Sequence, residues 1–161
     1  MNDTVIALHH LSKSYGNVHA VQNLSLTIEA GTIFGFLGPN GAGKTTTMRM
    51  LCGLTHPTGG QGIIEGVDTW KQRQKVRTKF GYVPQSFSLY RDLTVLENFR
   101  FFAGAYNVPG AQLEERINRL LKVIDLEGKR SATADNLSGG MRQLLAIGCA
   151  LVHNPSVLFL D

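Results

Sequence analysis

Apolar and polar positions divide the chain into strand-like and helix-like stretches. Apolar runs or alternating apolar positions predict strands at residues 5–8, 21–28, 31–37, 62–67, 80–83 and 157–160. Apolar residues spaced three and four apart predict helices at 94–105 and 111–125. Two more helices are expected at 45–52 and after Ser138, while 71–79 is basic and compatible with a helix whose charges form a solvated face. We therefore expect an α/β fold.

The pattern changes from strands to helices after Gln85. Two helical stretches follow, separated by residues 107–110, and Asp92 or Thr94 can cap the first of them. The last apolar run, 157–160, is expected to be a strand buried on both faces. These stretches predict a helical insert between strands of the core.

The stretch from Gly38 to Thr45 fits the phosphate-loop pattern Gly-x-x-x-x-Gly-Lys-Ser/Thr, between a predicted strand and a predicted helix. Its glycines let successive backbone N–H groups point inward, and the following helix adds its positive end. Lys44 supplies a charge for β- and γ-phosphates, and the Thr45 hydroxyl suits Mg²⁺. A glycine-rich turn with a stray lysine would match this pattern in this context only rarely.

Three further features are compatible with a nucleotide site but have ordinary explanations as well. Tyr15 could stack on a base, although a surface turn tyrosine is the more common case. Gly139 and Gly140 precede a helix and can receive an anion, or they are a plain turn capped by Ser138. Asp161 follows an apolar strand, where α/β sheets place ligand groups, so it is the natural Mg²⁺ partner of Thr45.

Composition narrows the class of protein. The 161 residues suffice for one domain, and the net charge of +4, without a block of five like charges, gives no argument for nucleic acid. Cys52 and Cys149 lie in apolar surroundings and are expected to be buried and reduced. The five histidines lack metal-ligand spacing, and no signal peptide or membrane-length apolar run is present. We expect a soluble protein, or one that sits on a membrane through a partner.

These elements, in this order, resemble the ATP-binding domain of ABC transporters over essentially the whole chain. The most diagnostic stretch is 137–141, Leu-Ser-Gly-Gly-Met, which is similar to the family signature LSGGQ. Met141 in place of Gln, together with residues 80–85 and 89–95, resembles exporters of the daunorubicin and multidrug-resistance group. The resemblance implies a P-loop NTPase fold, with a RecA-like core, an antiparallel β subdomain and an inserted helical subdomain.

The resemblance also implies a division and a set of site residues. Residues 1–161 would be one ATP-binding domain, partial and incomplete at its C-terminus, with the core at 1–85 and 155–161 and the helical subdomain at 86–154. Gln85 would contact Mg²⁺ and the attacking water, and Mg²⁺ would be held by Thr45, Gln85 and Asp161. ATP would be bound by Tyr15, Gly38, Pro39, Asn40, Gly41, Ala42, Gly43, Lys44, Thr45 and Thr46, and in trans by Ser138, Gly139 and Gly140.

In this family two such domains pair head to tail around ATP and drive a transmembrane permease. The implied function is an ATP-hydrolysing subunit that powers export, cytoplasmic and peripheral on the inner face of the membrane, with the insert at 85–100 meeting the permease. The implied partners are the permease and a second ATP-binding domain, and no nucleic acid is expected. The family's catalytic glutamate follows the position of Asp161, so the 161 residues alone are expected to be inactive. The alternatives are a soluble ABC ATPase acting on ribosomes or DNA, and a P-loop kinase.

Overall fold

The computed structural model describes residues 4–86 and 89–161, and the chain forms two compact units, Met1–Phe80 and Gly81–Asp161. The predicted site residues are distributed over both units. The phosphate loop and Tyr15 belong to the first unit, whereas Gln85, the glycine pair near 139 and Asp161 belong to the second. This partition does not test the subdomain boundaries at 85 and 155, which stay a prediction.

The first unit is built on an antiparallel sheet with the strand order β2-β1-β3-β4. The strands are β1 (Thr4–Tyr15), β2 (Val18–Glu29), β3 (Gly59–Ile64) and β4 (Val67–Asp68). Ile6, Leu8 and Leu11 of β1 are buried. The strands predicted at 5–8 and 21–28 are confirmed but are longer than expected. Their ladder continues through several shifts of register, which interrupt the alternation that a sequence pattern can detect.

Helix α1 (Lys44–Leu51) confirms the helix predicted directly after the phosphate loop. It packs on β2 and β3. Thr47, Met50 and Leu51, three and four residues apart, are its buried positions. The core of the first unit thus holds the helix that carries Lys44 and Thr45 at its first turn.

Two strand predictions in the first unit are wrong. Residues 32–39 have no regular secondary structure, and Ile33 and Leu37 are almost fully exposed, at 104% and 93%. An apolar run favours burial, but a strand also needs a partner backbone, and within residues 4–86 and 89–161 no strand pairs with this run. The strand expected at 62–67 is instead the β3–β4 hairpin, because Glu65 and Gly66 both have positive φ angles and form its turn.

The second unit packs three helices around one hydrophobic cluster. They are α3 (Val95–Ala105), α4 (Gly110–Val123) and α5 (Gly139–Leu151), as predicted, with 3₁₀ turns at Glu127–Lys129 and Ala134–Asn136. Helix α2 (Arg73–Val76), before this unit, is a single turn within the basic stretch predicted as a possible helix. Phe99 is fully buried where α3 meets α5, and a Cβ added at Gly148 would lie 2.7 Å from its ring.

The start of α3 is fixed by its own side chains. Thr94 is the N-cap, in a capping box with Glu97, which decides between Asp92 and Thr94. The N–H of Thr94 donates to the Glu97 carboxylate, and this bond holds the pKa of Glu97 below its ordinary value. Asn98 is completely buried, and its amide donates to the carbonyls of Tyr90, Leu93 and Thr94. The loop that follows the predicted Gln85 position is therefore shaped by α3.

Strands β5 (Phe80–Val83) and β6 (Val157–Leu160) form a two-stranded sheet, and both were predicted at these bounds. The expected burial of β6 on both faces is wrong, because Phe159 is buried whereas Leu160 is 55% exposed. In the described part of the chain β6 has β5 as its neighbour, so its other side is not enclosed by a further strand.

Both cysteines are free and buried, Cys52 in the first unit and Cys149 in the second, as the sequence predicts. Burial raises the pKa of the Cys149 thiol far above its ordinary value. A search of the described ranges for helices long and apolar enough to cross a bilayer returns none.

Candidate functional site

The phosphate loop has the backbone conformation that its glycines permit. Gly41 and Gly43 both have φ near +84°, in the left-handed region that residues with a Cβ rarely adopt. Gly43 is also the N-cap of α1, and a Cβ there would lie 2.3 Å from the carbonyl oxygen of Ala20. The last glycine of the pattern is therefore required twice, by its dihedral angle and by the adjacent strand β2.

Lys44 folds back over the loop. Its Nζ donates to the carbonyl oxygens of Gly38 and Pro39, both at 2.7 Å. The ammonium group is thus held inside the curve of the loop, and its three donors let it exchange these carbonyls for phosphate oxygens. The predicted charge lies where a bound phosphate would need it.

The N-terminus of α1 strengthens this positive character. No acidic residue lies in the first turn, and no side chain caps the helix. The first backbone N–H groups of the helix therefore remain a positive end that is not neutralised by a neighbouring carboxylate. Gly38, Pro39, Asn40, Gly41 and Ala42 are exposed, so the loop is accessible to a ligand. Together with Lys44, these features fit a polyphosphate.

Tyr15 stands at the end of β1 with half of its surface exposed (51%). The Nζ of Lys13 lies 4.8 Å from the centre of its ring, within the range of a cation–π contact. The same Nζ donates to the carbonyl oxygen of His56 at 2.8 Å, which fixes its position. Sequence reasoning missed Lys13, although its place two residues before Tyr15, on the same side of a strand, was a usable signal.

In the second unit the position of Asp161 is fixed by β5. Its backbone N–H donates to the carbonyl of Val83 at 3.0 Å, and its Oδ2 accepts the hydroxyl of Tyr82 at 2.9 Å. Gln85 is exposed and lies two residues beyond Val83, so it leaves the sheet at the strand end where Asp161 stands. Tyr82 was also missed, and its signal was a single hydroxyl within an otherwise apolar strand.

Ser138 is the N-cap of α5 and accepts a hydrogen bond from the N–H of Met141 at 3.3 Å. Gly139 and Gly140 begin the helix, and a Cβ added at either would meet no atom within 4 Å. Neither has a positive φ. The fold of this chain therefore does not require glycine at these positions, in contrast with Gly43.

The family model described as ABC transporter matches residues 21–161, which is most of the chain. The chain belongs to the ABC transporter family. It is 43% identical over 159 residues to the probable multidrug ABC transporter ATP-binding protein YbhF of Escherichia coli K12, covering 99% of this chain and 28% of that protein. It is 40% identical over 157 residues to the Nod factor export ATP-binding protein I of Cupriavidus metallidurans CH34, covering 98% and 52%. The chain thus spans about half, or less, of these curated relatives.

A solved ABC cassette has the same fold. The dimeric structure of MJ0796, a bacterial ABC transporter cassette, matches with a TM-score of 0.84 and 32% identity, covering 97% of this chain and 73% of that one. The predicted P-loop α/β fold of an ABC cassette is therefore confirmed. The ABC family binds ATP and consists of ATPases, so the kinase alternative does not hold. ABC ATP-binding subunits act with transmembrane permeases and as dimers.

Proposed function

We propose that this protein is the ATP-binding and ATP-hydrolysing subunit of an ABC exporter. The observation that carries the proposal is the phosphate loop, with two left-handed glycines, a lysine ammonium inside its curve and an open helix N-terminus. Backbone donors, a helix end and a mobile cation are together what a nucleotide triphosphate requires. The names of the two curated relatives, multidrug and Nod factor export, support export as the direction.

In this proposal ATP is held by the loop from Gly38 to Thr46, with Lys44 at the β- and γ-phosphates. Mg²⁺, when bound, would bridge phosphate oxygens and neutralise part of their charge. Thr45 in the first unit, and Gln85 and Asp161 in the second, are its proposed contacts. The hydrogen bond from Tyr82 supports the role of Asp161, because it holds the carboxylate in one orientation.

We further propose that Ser138, Gly139 and Gly140 serve the nucleotide of a partner domain. The open space around both glycines supports this, since the absence of side chains there benefits something outside the chain. The Ser138 oxygen accepts from the N–H of Met141, which leaves its own hydrogen for an external acceptor. Closing two such domains on ATP, and opening them after hydrolysis, would drive the permease.

An exposed aromatic cluster supports docking of the permease on the second unit. Tyr90 and Phe101 are 48% and 45% exposed, and their rings lie 4.3 Å apart. Phe102 completes the cluster, with its ring 5.6 Å from that of Phe101. The cluster begins five residues after Gln85, within the stretch expected to meet the permease. Aromatic side chains of this kind are enriched at the centres of protein interfaces.

Tyr15→Ala should weaken ATP binding by about 1–3 kcal/mol, the range measured for aromatic–base stacking in other proteins. Tyr15→Phe and Tyr15→Trp should bind almost as well as the wild type, because the ring face makes the contact. Titration with a fluorescent ATP analogue measures all three. If Phe behaves like Ala, the contact is made by the hydroxyl, and stacking is the wrong mechanism.

Phe101→Ser should reduce recovery of the membrane partner about tenfold or more, as for an aromatic residue at the centre of an interface. The matched control is Val123→Ser on α4, which also removes an exposed apolar side chain (73%). Tagged variants are used to capture proteins from detergent-solubilised membranes, followed by mass spectrometry. Recovery of a polytopic membrane protein, lost only in Phe101→Ser, supports the proposal. Recovery of ribosomes or DNA instead would favour the soluble ABC alternative.

A further inference from the structure

The positive charge of the chain is concentrated in residues 71–79, which we call the basic segment. Five of the 16 Lys and Arg residues, and none of the 12 Asp and Glu residues, lie within it. The remaining chain therefore holds 11 basic and 12 acidic residues and is almost neutral. The net charge of +4 belongs to a single stretch of the first unit.

The basic segment is anchored by one apolar side chain. Val76 is completely buried, whereas Lys71, Arg73, Lys75 and Arg77 are exposed. The segment includes the single turn of α2 and continues into β5. Burial of Val76 holds the backbone against the first unit, so the cations on either side of it extend into solvent.

Little of this charge is neutralised by the chain itself. Lys79 pairs with Glu65 at 2.8 Å, whereas Lys71 lies 3.9 Å from Asp68 and keeps 77% of its side chain exposed. Among the described residues, Lys75 and Arg77 form no ion pair. A cluster of cations without internal partners is an interaction surface for an anionic partner.

The one tryptophan of the chain, Trp70, lies directly before the basic segment. It is partly exposed, and the guanidinium of Arg73 lies 5.2 Å from the centre of its ring. The ring of His56 meets Trp70 edge-on, with 4.6 Å between the ring centres. With one cation and one imidazole already against it, the indole is poorly placed to stack on a nucleic-acid base. Amphipathic rings beside basic residues are instead typical of membrane–water interfaces.

We propose that the basic segment, with Trp70 at its edge, binds the surface of an anionic phospholipid membrane. Dispersed cations suit this partner, since juxtamembrane Lys and Arg residues are each attracted to anionic lipid without a shaped pocket. The inference rests on the proposed function only for the place where such a surface is met, because a subunit docked on a permease stands close to the bilayer. Binding of the segment to lipid would assist that docking and help to orient the domain.

The chain carries its own reporter for this interaction, since Trp70 is its only tryptophan. Purified chain is mixed with phosphatidylcholine vesicles, with or without about one third phosphatidylglycerol. We expect co-sedimentation and a blue shift of Trp70 emission with the anionic vesicles alone. Raising the salt to about 0.5 M should reverse both signals, because screening shortens the reach of exposed charges.

Paired charge reversals give the decisive comparison. Lys75→Glu with Arg77→Glu should weaken binding to anionic vesicles more than tenfold, since each cation contributes roughly fivefold. The matched control, Arg119→Glu with Lys122→Glu, reverses two exposed cations of α4 and has the same net charge. It should bind within about twofold of the wild type, because these side chains lie outside the basic segment. Thermal unfolding checks that both variants are folded.

The outcomes separate cleanly. Equal losses in both variants would overturn the proposal in favour of a net-charge effect, and no binding to anionic vesicles would overturn it outright. Tighter binding to an acidic peptide or RNA than to vesicles would also overturn it. Lys44→Ala should bind vesicles like the wild type, because the phosphate loop lies outside the basic segment. Failure of ATP binding and failure of lipid binding are therefore distinguishable.

Discussion

Lys44→Ala is expected to lower ATP affinity by about two orders of magnitude or more. Charge-assisted hydrogen bonds contribute roughly 1.5–3 kcal/mol each, and Lys44 is proposed to make them to two phosphates. The side chain bonds to two carbonyls of an exposed loop and not to the core, so the fold should persist. Titration with a fluorescent ATP analogue measures the affinity, and thermal unfolding checks the fold.

Two matched variants isolate the cause of this loss. Arg49→Ala removes another cation from the same helix, at its far end, and should leave ATP affinity nearly unchanged. Lys44→Met keeps the length of the side chain without its charge, and it should bind as poorly as Lys44→Ala. If Met restores affinity, the side chain acts through packing and not through its charge. Unaltered binding by Lys44→Ala would count against a nucleotide site at this loop.

Gly139→Asp is expected to abolish ATP-dependent association with the partner domain while the isolated chain still binds ATP. A carboxylate at this position would stand where a partner's γ-phosphate is proposed to approach, and like charges repel. The substitution should not harm the fold, because a Cβ at Gly139 meets no atom within 4 Å and an acidic residue favours a helix N-terminus. Sedimentation velocity with and without ATP measures association, and the turnover of the assembled transporter measures hydrolysis.

Gly139→Ala is the matched control for this prediction. It adds only a methyl group, so the stability of the chain should stay the same or rise slightly. Normal association in Gly139→Ala, with loss in Gly139→Asp, would identify charge at the partner's phosphate as the cause. If Gly139→Asp instead prevents the isolated chain from binding ATP, the glycine pair serves its own chain, and the in-trans proposal is wrong.

The sequence predicts the helices well because their apolar spacing depends on one packed face. Helices α3, α4 and α5 all appear within a few residues of their expected bounds. The run at 31–37 failed because an apolar stretch does not specify which backbone will pair with it. The β3–β4 turn failed because Glu65 adopts a positive φ that its residue type does not advertise.

The candidate site was predictable where chemistry depends on local spacing. The phosphate loop is contiguous, so its residues could be read together with their roles. Tyr82 and Lys13 were missed because each acts on a residue chosen by the tertiary fold, Tyr82 on Asp161 across 79 positions. Asn98 was missed for a related reason, since a buried amide is satisfied by carbonyls that only the folded loop brings together.

The two buried cysteines have a practical consequence, because each compact unit contains one of them. Thiol-reactive reagents attack the thiolate, and burial keeps the Cys149 thiol protonated and covered. Modification of Cys52 or Cys149 should therefore require the unit around it to open. The two labelling rates, resolved by peptide mapping, would then report the local opening equilibrium of each unit separately, without any engineered probe.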